Sequence, residues 1–300
     1  MCRFMHNDTK HKNREKRDVW LKKYAIISMD VEDWYHTYFP EMDVDRSQSV
    51  LDGLDVALNI MDERGIKGSF FVVGEIADML AEKLRKMDQS GHDIACHNWE
   101  HLRPVTMSVE EFQNWLLKAK DKLESILGHT VSGYRAPSFG IDDERYDAMI
   151  NCGFKYDSSK LKPQKSSKYG VLSLTGFKEI IPCVFCRGDF TEFEVSTQKI
   201  CGVNMLLSGG YIRILPWFFM RWMTARYLKT GKPYVMYIHP IDLSSKMIPK
   251  VEGASFDRYL RTHIGRRDMV RRFKAVLNML EKEDYEFVTF EQLRNMELEQ

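Results

Sequence analysis

An α/β fold built on a parallel sheet or barrel is what this chain predicts, on three observations. Short apolar runs alternate with amphipathic stretches of helical period. The strand-and-helix pair recurs at roughly thirty-residue spacing. Several apolar runs also end in residues that carry chemistry rather than in turn formers. Parallel strands joined by right-handed crossovers give that rhythm and collect functional side chains at strand C-termini.

The elements follow in order. Tyr24 to Met29 reads as a buried strand. Ser49 to Arg64 predicts a helix, with Leu51, Leu54, Leu58 and Met61 three and four apart and Gly65 as its stop. Lys67 to Val73, rich in Phe and Val, is a second strand, and Gly74 to Gln89 a helix closed by Ser90 and Gly91. His92 to Cys96 is a third strand. Ser108 to Leu127 is a long helix, Ser108 and Glu111 having capping-box spacing. Val131 to Tyr134, Asp142 to Asn151 and Phe154 to Asp157 continue as strand, helix and strand. Lys160 to Asn204, broken by Pro and Gly, predicts short strands and loops. Pro216 to Leu228 is an aromatic-rich helix, Pro233 to His239 a late strand, Arg266 to Glu283 an amphipathic helix and Glu286 to Thr289 a final strand. No linker or repeat divides the chain, so one domain is expected over residues 21–297. A flexible basic tail over 1–20, carrying Lys10, Lys12, Arg14, Lys16 and Arg17, precedes it.

A net charge of +1 gives no global pull toward nucleic acid or anionic membrane. No apolar run reaches the roughly 18 residues a spanning helix needs. The start has no apolar core of secretory length, which points to the cytoplasm, where the scattered cysteines stay reduced. Cys183 and Cys186 have C-x-x-C spacing but no second pair, and read as packing residues. The stretch Trp217 to Trp222 reads as core packing. A peripheral contact at the inner membrane face is its alternative.

Two features at strand ends point to a metal. His97 and His101 follow the strand ending in Cys96, and Asp30, Glu32 and Asp33 follow the strand from Tyr24. Neutral imidazole is the commonest protein ligand for a divalent metal, and a catalytic site needs a carboxylate beside two of them. Arg135 ends the fourth strand, where a guanidinium can hold a carboxylate ionised. His239 ends the late strand, where it can serve as a general acid near neutral pH.

The ordered set of acid cluster, H-x-x-x-H, R-x-P, Y-D-S-S and a strand ending in His-Pro resembles the polysaccharide deacetylase superfamily, the NodB-homology carbohydrate esterases of family four. Asp30-Val31-Glu32-Asp33-Trp34, Tyr134 to Phe139, Phe154 to Ser159, Gly209 to Pro216 and Tyr237 to Pro240 are most similar to a branch found with bacterial exopolysaccharide and exosortase gene clusters. The likeness runs from about Tyr24 to about Leu293.

The resemblance implies a distorted (β/α) barrel of seven strands. It also implies a divalent metal, zinc above all, and removal of acetyl groups from N-acetylated sugars of a glycan or glycan precursor. It makes Asp30 the base, His97 and His101 metal ligands, Arg135 the holder of the base and His239 the general acid. The third ligand is Glu32 or Asp33. Side chains two apart on a strand share a face, which favours Glu32; a turn after Asp30 would favour Asp33. Where the family has R-P-P-Y this chain has Arg135-Ala136-Pro137-Ser138, so the oxyanion-holding N–H is expected at Ser138. The family's D-x-x-D-W is replaced by Tyr156-Asp157-Ser158-Ser159, leaving Asp157 as the candidate acid to tune His239. Two other readings stand beside this one: an amidohydrolase of a small cyclic amide or ureide, and a non-catalytic carbohydrate-binding relative.

Overall fold

Twelve strands, β1 (Lys23–Val31), β2 (Ser69–Val72), β3 (Asp93–Cys96), β4 (Gly133–Tyr134), β5 (Tyr156–Asp157), β6 (Lys178–Ile181), β7 (Val184–Arg187), β8 (Phe190–Phe193), β9 (Thr197–Ile200), β10 (Val203–Leu206), β11 (Tyr234–Ile238) and β12 (Tyr285–Phe287), organise the described residues. The structure is a computed structural model that describes residues 22–162 and 171–298. The tail expected over 1–20 lies outside the described residues.

The main sheet runs β11-β1-β2-β3-β4-β5-β8-β7-β6, with β12 added beside the start of β1. From β11 to β8 every neighbour is parallel, giving a run of seven strands, and β7 and β6 extend it antiparallel. The sheet curls into a half-barrel. Where the curl brings the chain after β8 back toward β11, a short seam replaces a ladder. Ser196 N–H donates to Val235 O (3.1 Å), and Val235 N–H donates to Ser196 Oγ (2.9 Å). β9 and β10 form a separate hairpin.

Alternation along the strands sorts side chains into two layers. Ile26, Phe71, Ala95, Tyr156, Phe193 and Val235 fill the inside of the curl. Ile27, Met29, Phe70, Ile94, Tyr134 and Met236 face outward and pack against the crossover helices. Helix Val109–Leu127 shows why those helices form. Ser108 and Glu111 satisfy each other's backbone N–H groups (3.2 and 2.8 Å), and Gly128 ends the helix at φ 82°. Its stripe of Phe112, Leu116, Ala119, Leu123 and Ile126 is buried. Each large apolar side chain there contributes roughly 1.5–3 kcal/mol, so Leu116→Ala would cost about 2–5 kcal/mol.

One element departs from expectation in a way that matters for the site. Gly74 to Gln89 is not a single helix but a 3₁₀ turn, Gly74–Ile76, followed by helix Ala81–Gln89. The N–H groups of Gly74 and Glu75 donate to Asn98 O (2.9 Å) and Trp99 O (3.0 Å), anchoring the loop between the two candidate histidines. A Cβ on Gly74 would sit 2.7 Å from the Trp99 ring, so this approach needs glycine.

Candidate metal centre and active site

Alternation also decides which polar side chains converge. His97, Arg135 and His239 are each the first residue beyond their strand, β3, β4 and β11. Each continues its strand's inward parity, as Asp30 and Glu32 continue that of Ile26 and Ser28. His97 N–H bonds to Val72 O (2.9 Å) and Arg135 N–H to Cys96 O (3.0 Å), so the strand register carries into the site. Asn98 then takes φ 66°, a left-handed turn that asparagine tolerates well, and the chain doubles back to His101.

Glu32, His97 and His101 form one buried cluster, with ligand atoms all within 4.8 Å of one another. Glu32 Oε2 lies 2.8 Å from His101 Nε2 and 3.9 Å from His97 Nε2. His97 Nδ1 lies 2.8 Å from Arg135 O, which orients its ring with Nε2 toward the acid. Thr37 Oγ1 donates to Glu32 Oε1 (2.7 Å). Burial pushes the His97 imidazole down to about 4, leaving it neutral. Burial works against charge on Glu32, yet His101, His239 and His97 hold its carboxyl well below the usual carboxylate range. His97 Nε2 is buried without a hydrogen-bond partner, and Glu32 Oε2 has only the His101 Nε2 contact. Orphaned buried polar atoms are costly unless something else occupies the space they face. Two imidazoles and a carboxylate are the donor set of a catalytic divalent-metal site, so the residues present fit such an ion.

Asp33 does not join them. Its Oδ1 accepts from Trp34 N–H (2.8 Å) and Val50 N–H (3.0 Å), capping helix Trp34–Tyr38, while its own N–H donates to His36 Nδ1 (2.9 Å). The chain turns at Asp33 into a helix, and the cap takes the carboxylate. His36 is buried, with Nε2 2.5 Å from Glu75 Oε1.

Beside the cluster, Arg135 is wholly buried and every arm of its guanidinium is engaged. Nη1 donates to Asp30 Oδ1 (2.6 Å) and Ser28 Oγ (3.0 Å), Nη2 to Ser158 Oγ (3.0 Å), and Nε to Ser158 O (3.0 Å). The plane lies 4.0 Å from the Phe71 ring centroid. Asp30 is buried with it.

His239 faces the same space. Its Nε2 is 3.9 Å from Asp30 Oδ2 and 3.5 Å from Glu32 Oε1, and its Nδ1 is 3.3 Å from Asp242 Oδ2. Burial opposes the charged ring, but Asp242, Glu32 and Asp30 outweigh it and raise His239 to about 9. Asp242 is therefore the acid behind this histidine, and Asp157 is not. Asp157 has the outward parity of β5, opposite to Tyr156. It accepts from Ser159 N–H (2.9 Å) and Ser159 Oγ (2.8 Å), and burial pushes it up to about 6 beside Glu192. The Y-D-S-S motif is instead a positioning device. Ser158 holds Arg135, and Ser159 Oγ accepts from Ala136 N–H (2.8 Å).

Sequence reasoning missed Asp242 and its partner. Asp242 accepts from His239 N–H (3.0 Å), the reciprocal of a capping box on helix Pro240–Leu243, and from Arg213 Nε (2.7 Å). The spacing His-Pro-x-Asp, with Pro at the first helical position, carried that signal. Ser138 stands exposed at the mouth with φ 53°. The turn there uses the N–H groups of Phe139 and Gly140, bonding to Ala136 O (2.8 Å) and Pro137 O (3.0 Å), rather than that of Ser138.

Against known proteins, residues 49–156 match the polysaccharide deacetylase family, and residues 159–295 match a domain family of unknown function, DUF3473. The chain carries a polysaccharide deacetylase domain. It is 23% identical to a peptidoglycan deacetylase of Helicobacter pylori over 107 residues, 36% of this chain and 36% of that one. It is 34% identical to chitin deacetylase 1 of Cryptococcus neoformans over 89 residues, 29% of this chain and 18% of that one. The chain thus spans about a third or less of these two relatives. A Mycobacterium smegmatis structure assigned as a polysaccharide deacetylase shares the fold, with TM-score 0.60 and 19% identity over 92% of this chain and 91% of that one.

Proposed function

We propose that this protein is a metal-dependent hydrolase that removes acetyl groups from N-acetylated sugars of a glycan or glycan precursor. The observation that carries the reading is the buried Glu32–His97–His101 cluster, in which His97 Nε2 lacks a hydrogen-bond partner, set beside the Arg135-held Asp30. Relatives named as chitin and peptidoglycan deacetylases support an N-acetylated substrate.

Glu32, His97 and His101 would hold the cation, with zinc the expected ion. Bound there, a divalent ion stabilises charge on a carbonyl oxygen and lowers the pKa of water toward about 7. The chain's own groups supply the rest. Asp30 Oδ1 is committed to Arg135, so Oδ2 is the oxygen left to take a proton from the attacking water. His239 Nδ1 faces Asp242, which leaves Nε2 toward the site to protonate the departing amine. The water oxygen bonds to the acyl carbon, the C–N bond breaks, and acetate and a free amine leave. The Ser138 N–H at the mouth is the proposed partner of the oxyanion.

Metal content and acetate release from chitin- and peptidoglycan-type oligosaccharides test this. Asp30→Asn should keep its metal and lose turnover by about a hundred- to ten-thousand-fold. Full turnover in that variant would overturn the assignment of the base. Absence of acetate from every N-acetylated glycan by the metal-loaded protein would overturn the activity.

A further inference from the structure

One stretch of the chain breaks its charge balance, although Lys246 and Lys274 within it meet Asp52 and Glu63 from outside it (3.7 Å each). Residues 209–274 carry fourteen Lys and Arg against four Asp and Glu, a net of +10, whereas the whole chain is +1 and the remainder therefore −9. No acid occurs between Val195 and Ile241. Arg213 in this stretch is buried on Asp242, but Arg221, Arg226, Lys229 and Lys232 are exposed. Two of the four acids lie beside neighbouring cations, Asp257 by Arg261 (3.8 Å) and Asp268 by Arg271 (3.3 Å).

The same flank exposes large apolar side chains. Phe218 is 78% exposed, Trp222 49%, Met247 87% and Phe256 74%. On helix Trp217–Leu228 the inward side is Met220, Met223, Tyr227 and Leu228. Phe218 and Trp222, one turn apart, point outward with Arg221 and Arg226, and the Arg226 guanidinium lies 5.8 Å from the Trp222 ring. Helix Arg266–Lys282 packs against helices Trp217–Leu228, Gly209–Ile214 and Pro240–Leu243, so these helices adjoin one another. The flank begins at the mouth of the half-barrel. Arg213 reaches Asp242 behind His239, and also bonds Ile264 O (2.6 Å), Arg261 O (2.5 Å) and Tyr38 OH (2.8 Å).

We propose that this flank is a docking surface for an anionic phospholipid bilayer. Outward aromatic and aliphatic side chains ringed by Lys and Arg are the makeup of an interfacial surface: the apolar groups enter the head-group boundary and the cations pair with lipid phosphates. A nucleic acid or acidic polysaccharide would engage the cations but gives no reason for Met247 and Phe256 to stand in water. The protein lies on the bilayer rather than through it. Among the described residues no helix is long and apolar enough to cross a membrane. This inference does not depend on the deacetylation reading.

Vesicle flotation of the full chain tests it, with phosphatidylcholine alone and with phosphatidylcholine mixed with phosphatidylglycerol. The protein should float with the anionic vesicles, fail to float with the neutral ones, and detach in part at high salt. The triple variant Phe218→Ser, Met247→Ser, Phe256→Ser should lower anionic-vesicle binding by about tenfold or more. Its circular dichroism and melting temperature should stay unchanged, since all three side chains are exposed. Arg221→Glu with Arg226→Glu should lower binding as well. No flotation with anionic vesicles would overturn the proposal. So would undiminished flotation of the triple variant combined with displacement by a soluble polyanion such as heparin, which would mark the flank as a site for polyanions instead.

Discussion

Replacing Arg135 by Met removes four hydrogen bonds from a wholly buried position and leaves Asp30 charged and unpaired. Stranding one member of a buried ion pair costs about 3–5 kcal/mol. The Ser158 carbonyl loses its donor too, for about 1–3 kcal/mol more. The expected loss is therefore about 4–8 kcal/mol, much of the roughly 5–15 kcal/mol that holds a typical domain folded. Arg135→Lys keeps a cation for Asp30 but not the planar fork that also reaches Ser158, and should lose about 1–3 kcal/mol. The decisive variant is the double one. Asp30→Asn on top of Arg135→Met removes the stranded charge, so it should recover at least about 2 kcal/mol relative to Arg135→Met alone. Urea unfolding followed by circular dichroism reads all four proteins. If the double variant is no more stable than Arg135→Met, the penalty does not come from an unpaired Asp30, and the electrostatic account of this pair fails.

Three further outcomes follow from the site. His97→Ala and Glu32→Gln should each weaken zinc binding by about tenfold or more in equilibrium dialysis; unchanged affinity would place the ion elsewhere. His239 is raised to about 9 from an ordinary 6.5, so in the metal-free protein its contribution is complete below pH 6.5 and lost as pH rises through about 9. The wild type should accordingly exceed His239→Gln by about 3 kcal/mol more at pH 6 than at pH 10 in urea unfolding, and an equal gap at both would contradict the assignment. Glu192 is held well above the carboxylate range by burial and by the neighbouring Asp157. The wild type should therefore lose stability relative to Glu192→Gln as pH rises above the ordinary carboxylate range, and a gap independent of pH in urea unfolding would contradict the assignment.

Much of the site was legible because alternation is a strong constraint. Once β1, β3, β4 and β11 are recognised as strands, Asp30 near the end of β1 and the first residue past each of the others inherit a direction, and Asp30, His97, Arg135 and His239 converge. Glu32 over Asp33 followed from the same parity. What parity could not show was the reason Asp33 turns away. That lies in the helix it starts, with His36 three residues on reaching back to its N–H. Asp157 was misplaced for the opposite reason. The motif looks catalytic, but the pattern around it does not say that Tyr156 is the residue filling the half-barrel, which sends Asp157 to the helix side. Arg213 was illegible. In sequence it resembles any surface cation, and its partner lies 29 residues away. The break between Gly74 and Ala81 was likewise set by contacts with Asn98 and Trp99 on another strand's loop, which helical period alone cannot anticipate.

Arg135 touches the reaction centre with both of its ends: its carbonyl meets the ring of His97, and its side chain clasps Asp30. Two tools thus hang from one handle. β4 is only two residues long, so the single residue that follows it sets both the imidazole ring and the carboxylate.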